Sequence, residues 1–276
     1  MRGFNPETSI VFLPADEDGV VLADDICSTI ERYKDELALV FIGAVNYYTG
    51  QVFNVEEITK IAHLNNILIG FDLAHAAGNV ELNLHDWNVD FAAWCSYKYL
   101  NSGPGNVSTI FIHENQIQSN PFRLCGWWGH ESKNRFSLNN NFQAIKTAEG
   151  WQLSNAPVFG MSIYRQSLEL FHEVGLDNLI QKRIKLNNYL EDAINTFNHS
   201  SNKIQLKIIT PGAAEMRGAQ LSIYIASNGK EIYNKLRNYG VYADWRSPSI
   251  MRISTVPLYN SFEDIARFYH ILQKCI

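Results

Sequence analysis

Short apolar runs, separated by polar and charged stretches, set the pattern of the first 112 residues. Ser9-Ile10-Val11-Phe12-Leu13 is one such run, closed by Pro14, and reads as a strand. Residues 24–37 follow, with Ile26 and Ile30 set among charges in a helical pattern. Residues 38–45 are apolar without interruption, as in a strand buried on both faces of a parallel sheet. Asn54-Val55-Glu56-Glu57 has the form of a capping box, and Ile58, Ile61 and Ala62 continue at helical spacing. Residues 67–71 form the next buried run, which ends at Asp72. Residues 90–95 form another, ending before Ser96-Tyr97-Lys98, and residues 107–112 close the series. Strands and helices joined by short connections predict a parallel sheet with right-handed crossovers. Ligands of such sheets sit beyond the carboxyl ends of the strands.

Residues 121–157 break this pattern. They are rich in Asn, Gly and Trp, with Trp127-Trp128-Gly129-His130 and Asn139-Asn140-Asn141, and read as long irregular loops. Helical patterns return over 158–198. Strand-like runs follow at 204–209, 220–226 and 250–254, with a helix around 231–239. A last helix covers 262–272, with Ser261 as its N-cap and Asp264 three residues on. The expectation is an α/β chain: a mainly parallel-sheet large domain over 1–157, then a smaller α+β domain over 158–276.

Composition narrows the function classes. Hydrophobic residues make up 46% of the 276, enough to fill a core and too many for a disordered chain. Lys+Arg number 23 against 28 Asp+Glu, a net charge of −5 that offers no footprint for nucleic acid or an anionic membrane. The apolar runs are too short to span a bilayer, and the start lacks the apolar core of a signal peptide. The four cysteines form no CxxC pair, so neither a zinc ribbon nor a disulfide scaffold is indicated. A cytoplasmic protein without nucleic-acid, membrane or metal partners is expected.

Two clusters carry the candidate chemistry. Lys98 stands among Trp94, Tyr97, Tyr99 and Leu100, with no acidic neighbour. It is either a desolvated amine nucleophile of lowered pKa or a lysine reaching out to solvent. Asp72 ends a buried run and is followed by Leu73-Ala74-His75. It is either a capping aspartate beside a structural histidine or the partner of a protonated heteroaromatic nitrogen. Lys98 comes 26 residues after Asp72, so the two fall on adjacent loops of one sheet. Pyridoxal phosphate (PLP) needs such a pair: a lysine for the Schiff base and a carboxylate on the pyridinium nitrogen.

At this point the sequence resembles kynureninase. The resemblance rests on Phe71-Asp72-Leu73-Ala74-His75-Ala76-Ala77-Gly78-Asn79, Leu84-His85-Asp86-Trp87 and Trp94-Cys95-Ser96-Tyr97-Lys98-Tyr99-Leu100-Asn101. It extends upstream to Asn46-Tyr47-Tyr48-Thr49-Gly50-Gln51. Downstream it runs through Gly126-Trp127-Trp128-Gly129-His130-Glu131, Ser154-Asn155-Ala156-Pro157 and Arg217-Gly218-Ala219-Gln220-Leu221 to Met251-Arg252-Ile253 and Val256-Pro257-Leu258-Tyr259-Asn260. It implies a PLP enzyme of the aspartate-aminotransferase fold (fold type I), a homodimer on the kynurenine pathway. Such an enzyme hydrolyses L-kynurenine or 3-hydroxykynurenine to the anthranilate and L-alanine.

By matched position, the resemblance makes Lys98 the Schiff-base lysine and Asp72 the partner of the ring nitrogen. It sets His75 beside the cofactor and the Tyr97 hydroxyl on the phosphate. Trp127 and Asn155 match further cofactor contacts, which can serve the partner subunit's site. Arg252 matches the arginine for the substrate α-carboxylate, a task its planar fork suits. Tyr97 is also the candidate acid that protonates the β carbon left behind when the anthranilate departs. The family is longer at its N-terminus, and the match begins at Arg2-Gly3-Phe4-Asn5-Pro6-Glu7, so an N-terminally truncated chain lacking the phosphate cup is expected. The alternatives are another fold type I enzyme, such as a cysteine desulfurase using Cys125 or an aminotransferase, or an inactive fragment. Cys95 reads as a small core residue. His63, His113, His172, His199 and His270 read as structural or surface groups, and Arg246 either assists Arg252 or makes a surface pair, the second reading being favoured.

Overall fold

The computed structural model describes residues 4–119, 121–137, 140–201 and 204–276; Arg2, Gly3 and Asn139 lie outside them. Two four-stranded sheets organise these residues, each with its own apolar core.

The chain enters through one helical turn, α1 (Pro6–Ser9), where Asn5 accepts from the Glu7 N–H. Proline in the first turn favours this start, since its ring holds φ near the helical value. The strand expected over 9–13 does not form. Ile10 and Phe12 are 52% and 82% exposed, and no described strand lies beside them to complete a ladder. Next, α2 (Ala23–Arg32) turns Ile26 and Ile30 into the core. The first strand is β1 (Leu39–Gly43), and α3 (Val55–Leu64) follows it. Asn54 caps α3 by accepting from the Glu57 N–H at 3.1 Å. The Glu57 carboxylate accepts from the Asn54 side-chain amide instead of its backbone, so only half of the expected box is made.

Then come β2 (Leu68–Asp72) and β3 (Phe91–Cys95). β1, β2 and β3 run parallel, and Gly43, Asp72 and Ala93 sit side by side in register. The fourth strand, β4 (Ser108–Ile112), is antiparallel to β3, which makes the sheet mainly parallel, as expected, with one antiparallel edge. The connection 96–107 is built of turns rather than a helix, so the chain reverses beside β3. A short helix, α4 (Glu114–Gln118), follows β4. On one face of this sheet Ile69 and Phe71 are fully buried; on the other, Leu39, Phe41, Leu68 and Ile110 are exposed.

α5 (Val158–Val174) lies against the first sheet. Its Tyr164 joins that core and accepts from Trp94 Nε1, and its Ser167 hydroxyl donates to the Leu100 carbonyl. After Gly175, α6 (Leu176–Ser200) leads into the second sheet. That sheet holds β5 (Leu206–Ile208), β6 (Gln220–Ile225), β7 (Asp244–Arg246) and β8 (Ile250–Ser254), in the antiparallel order β5-β6-β8-β7. β7, only three residues long, has too few positions to show a period in the sequence. α7 (Gly229–Asn238) and α8 (Phe262–Cys275) complete the unit. Leu186, Ile194, Leu236 and Phe268 from the helices meet Leu221, Ile223 and Met251 from the strands.

The Ser261–Asp264 pair does form a full capping box on α8. Ser261→Ala should therefore lower stability by about 1 kcal/mol, seen as a shift in the urea midpoint without a change of slope.

Candidate active site

The parallel register opens the carboxyl ends of β1, β2 and β3 along one edge. Asp72 stands there, exposed, at the end of β2. Its Oδ1 accepts from the Ala74 N–H at 2.8 Å, which starts the turn that carries His75. The Ala76 and Ala77 N–H groups both close on the Leu73 carbonyl and tighten that turn. Gly78 ends it with φ +79, and a Cβ there would come within 2.9 Å of the Tyr99 carbonyl oxygen. Only glycine lets this turn touch the loop after β3. His75 and Tyr99 consequently meet edge to face, with ring centroids 5.9 Å apart.

Lys98 lies on that second loop and is half-buried. Ser96 anchors the loop by donating to the Val107 carbonyl at 2.6 Å, and Ser102 donates to Ser96 at 2.6 Å. Asn101 takes a positive φ of 56° and donates its N–H to the Lys98 carbonyl at 3.0 Å. Tyr97 is 45% exposed, and the neighbouring Cys95 thiol raises its phenol above the ordinary value. A phenol so held stays protonated at neutral pH.

The second sheet supplies the rest. Arg252 lies in β8, 9% exposed, directly opposite Asp244 of β7. Its Nε and Nη2 both donate to Asp244 Oδ2 at 2.7 Å, and its Nη1 donates to the Tyr47 carbonyl. Arg246 makes the surface pair expected of it: half-exposed, it donates Nε to the same oxygen of half-exposed Asp244 at 2.9 Å, and through Asp244 it stands beside Arg252. The 46–51 loop is clamped here as well: Gln220 donates to the Tyr47 carbonyl and Ser222 to that of Tyr48.

His75 records this convergence. Burial pushes its pKa down to about 4, with Lys98, Arg252 and Arg246 adding positive charge and Asp244 opposing them. Its Nδ1 is buried with no hydrogen-bond partner among the described residues. An unfolded histidine binds its proton near pH 6.5, before this one does. Stability should therefore be highest above that pH and fall as pH drops towards 4. The full effect is about 3 kcal/mol. His75→Gln should flatten this part of the urea stability–pH curve, and an NMR titration of the ring reads the pKa directly.

Trp127 and Asn155 are not brought to this cluster. Trp127, 45% exposed, meets Phe136 at 5.5 Å and lines a hollow with His130, Arg135 and Phe142. Asn155 is exposed in the segment before α5. The Arg135 guanidinium lies 4.4 Å over the Trp128 ring. Cys95 is half-buried, His63 pairs with buried Asp90, and His113 caps α4. Asp244 and Asn79 went unread in the sequence. Asn79 accepts from the Ala219 N–H and donates to the His75 carbonyl, tying the two sheets together. Asp244 had a legible signal: a hairpin turning at Ser247-Pro248-Ser249 sets residue 244 across from residue 252.

The architecture has close counterparts among solved structures. A cysteine desulfurase from Thermococcus onnurineus superposes with a TM-score of 0.78 at 18% identity, over 96% of this chain and 65% of that one. An alanine–glyoxylate aminotransferase from Nostoc gives 0.69 at 19%, over 91% and 64%. This is the fold of the type I PLP enzymes. The sequence is more particular. Residues 179–272 match the family model described as the kynureninase C-terminal domain. The kynureninase of Flavobacterium psychrophilum is 47% identical over 277 aligned residues, covering all of this chain and 65% of the relative. That of Myxococcus xanthus is 42% identical, covering 99% and 63%. The chain is thus similar to the kynureninases along its whole length. It spans about 65% of the length of the first of the curated relatives it matches.

Proposed function

We propose that the chain carries the lysine, ring-nitrogen and carboxylate-binding groups of a PLP-dependent kynureninase. The reaction would add water across the Cβ–Cγ bond of L-kynurenine or 3-hydroxykynurenine, giving the anthranilate and L-alanine. The observation that carries this reading is that the turn that follows Asp72 and holds His75 packs on the loop of Lys98, while Arg252 of the second sheet donates to the Tyr47 carbonyl of the loop after β1 and acts electrostatically on His75.

The residues suit the cofactor. Lys98, Arg252 and Arg246 all lower the His75 pKa through their charge, with Asp244 opposing them, a positive surplus that favours a phosphate and a carboxylate. The orphaned His75 Nδ1 is a polar atom waiting for a partner. Asp72 spends Oδ1 on the Ala74 N–H, which leaves Oδ2 for a ring N–H. PLP, when bound, would supply a sink for the electrons released at the substrate's α and β carbons.

The chain's own groups do the rest. Lys98 holds the cofactor, and its freed amine moves the α-proton. Asp72 keeps the ring nitrogen protonated. Arg252 grips the α-carboxylate. The Tyr97 hydroxyl reaches the phosphate and donates a proton to the β carbon. Trp127 and Asn155 are assigned to cofactor contacts in a homodimer, where they can serve the partner subunit's site. A cytoplasmic homodimer, with its large domain over 1–157 and small domain over 158–276, is the form proposed.

Adding PLP to the purified chain and then kynurenine tests the reading. A new visible absorbance band followed by anthranilate fluorescence supports it. A band without fluorescence turns the assignment to another fold type I reaction, and no band means this chain does not form a working site by itself. Tyr97→Phe should slow turnover by at least tenfold while changing PLP affinity less than threefold. Equal losses in both would remove the acid role from Tyr97.

A further inference from the structure

The strongest feature outside the assigned roles is the carboxylate of Asp244. Its Oδ2 accepts from Arg252 Nε, Arg252 Nη2 and Arg246 Nε, at 2.7, 2.7 and 2.9 Å. This geometry is built into the sheet. Asp244 and Arg252 are direct cross-strand neighbours in antiparallel β7 and β8. Side chains directly opposite each other share a face, and residues two apart along a strand share it too. Asp244, Arg246 and Arg252 therefore project to one side. Ser222 of β6 stands opposite Arg252 on its other flank and holds the Tyr48 carbonyl. The adjacent Tyr47 carbonyl takes Arg252 Nη1.

Arg252 is almost fully buried, and Asp244 is half-exposed. A buried guanidinium without a fixed acceptor would carry a large desolvation cost and would be free to turn. Here one edge, Nε with Nη2, is taken by a single carboxylate oxygen. One N–H of Nη1 is taken by a backbone carbonyl. A guanidinium has five N–H donors, so two are left, one on each terminal nitrogen. We propose that Asp244 is a positioning residue. It holds Arg252 by one edge, with Arg246 steadying Asp244 in turn, so that the remaining donors meet the α-carboxylate of the substrate in a fixed orientation.

The assignment rests on the kynureninase reading and deepens it. It makes the β7–β8 hairpin, rather than Arg252 alone, the source of selectivity for an α-amino acid over an amine lacking the carboxylate. Holding a charged hydrogen-bonding group in advance lowers the cost of binding, so the gain belongs in substrate affinity.

The test compares L-kynurenine with kynuramine, its analogue without the carboxylate, on the PLP-loaded chain. Asp244→Asn should raise the KM for kynurenine about tenfold, leave kcat within twofold, and leave kynuramine affinity unchanged. Arg246→Gln removes a half-exposed side chain of the edge strand β7, and should raise the same KM about threefold at equal thermal stability. An unchanged KM in both variants, or an equal loss for kynurenine and kynuramine, overturns the proposal. A second measurement needs no turnover: the Arg252 Nε–H proton signal in the chain without PLP. It should be sharp and slow to exchange in the parent chain and exchange at least tenfold faster in Asp244→Asn, at equal thermal stability. Unaltered exchange overturns the proposal. If the parent chain forms a PLP band but leaves kynurenine untouched, the reaction assignment falls, and with or without a band the exchange measurement alone then decides whether Asp244 holds Arg252.

Discussion

Lys98→Ala should abolish both the visible band that PLP forms with the chain and the release of anthranilate from kynurenine. Two losses combine in this one change. The covalent hold on the cofactor disappears, and so does the amine that moves the α-proton. General acid–base catalysis by a placed group is typically worth 10²–10⁴-fold, so turnover should fall by about 10⁴-fold or below detection. The fold should survive, because Lys98 is half-buried on a loop. That loop is anchored by Ser96, Ser102 and Asn101, not by the lysine side chain. Added methylamine should restore part of the proton transfer. A variant that kept full turnover would remove Lys98 from the mechanism.

Asp72→Asn is the second large effect, and it separates cofactor binding from cofactor use. The asparagine can still accept from the Ala74 N–H, so the turn that carries His75 stays in place. It cannot hold a proton on the ring nitrogen, because the amide carries no charge. An ion pair at about 4 Å is worth roughly 4 kcal/mol near a protein surface. Asp72 is exposed at the strand end, and solvent takes part of that energy. A loss of about a hundredfold in kcat follows, with PLP binding reduced much less. Absorbance titration reads the binding and anthranilate fluorescence the turnover. Equal activity of Asp72→Asn and the parent chain would falsify the ring-nitrogen role.

Local chemistry made much of this protein legible in advance. The runs that become β1, β2 and β3 are apolar on both faces, and that pattern survives in one dimension. Asp72 and Lys98 were readable because each follows such a run at once, so the strand ends carry them to one edge. The Ser261 cap was readable for the same reason, since a capping box spans only four residues. Where the sequence misled, a partner was the deciding term. Ile10–Leu13 has strand composition and no neighbouring strand, so it stays unpaired. Residues 108–112 have strand composition and a neighbour, and a helix-free connection makes them the antiparallel edge of a mainly parallel sheet.

The sequence by itself determined most of the elements and the resemblance to kynureninases, because hydrophobic period, capping and motif strings are local properties. Only the tertiary structure decided which chemical groups meet. His75 comes under the influence of Arg252 and Arg246 across more than 170 residues of chain. The cause is that Gly78 permits a close approach to Tyr99, and Asn79 and Arg252 clamp one sheet against the other. The grip of Asp244 on Arg252 has the same origin. It depends on strand register, and register is settled by how two strands pair in space.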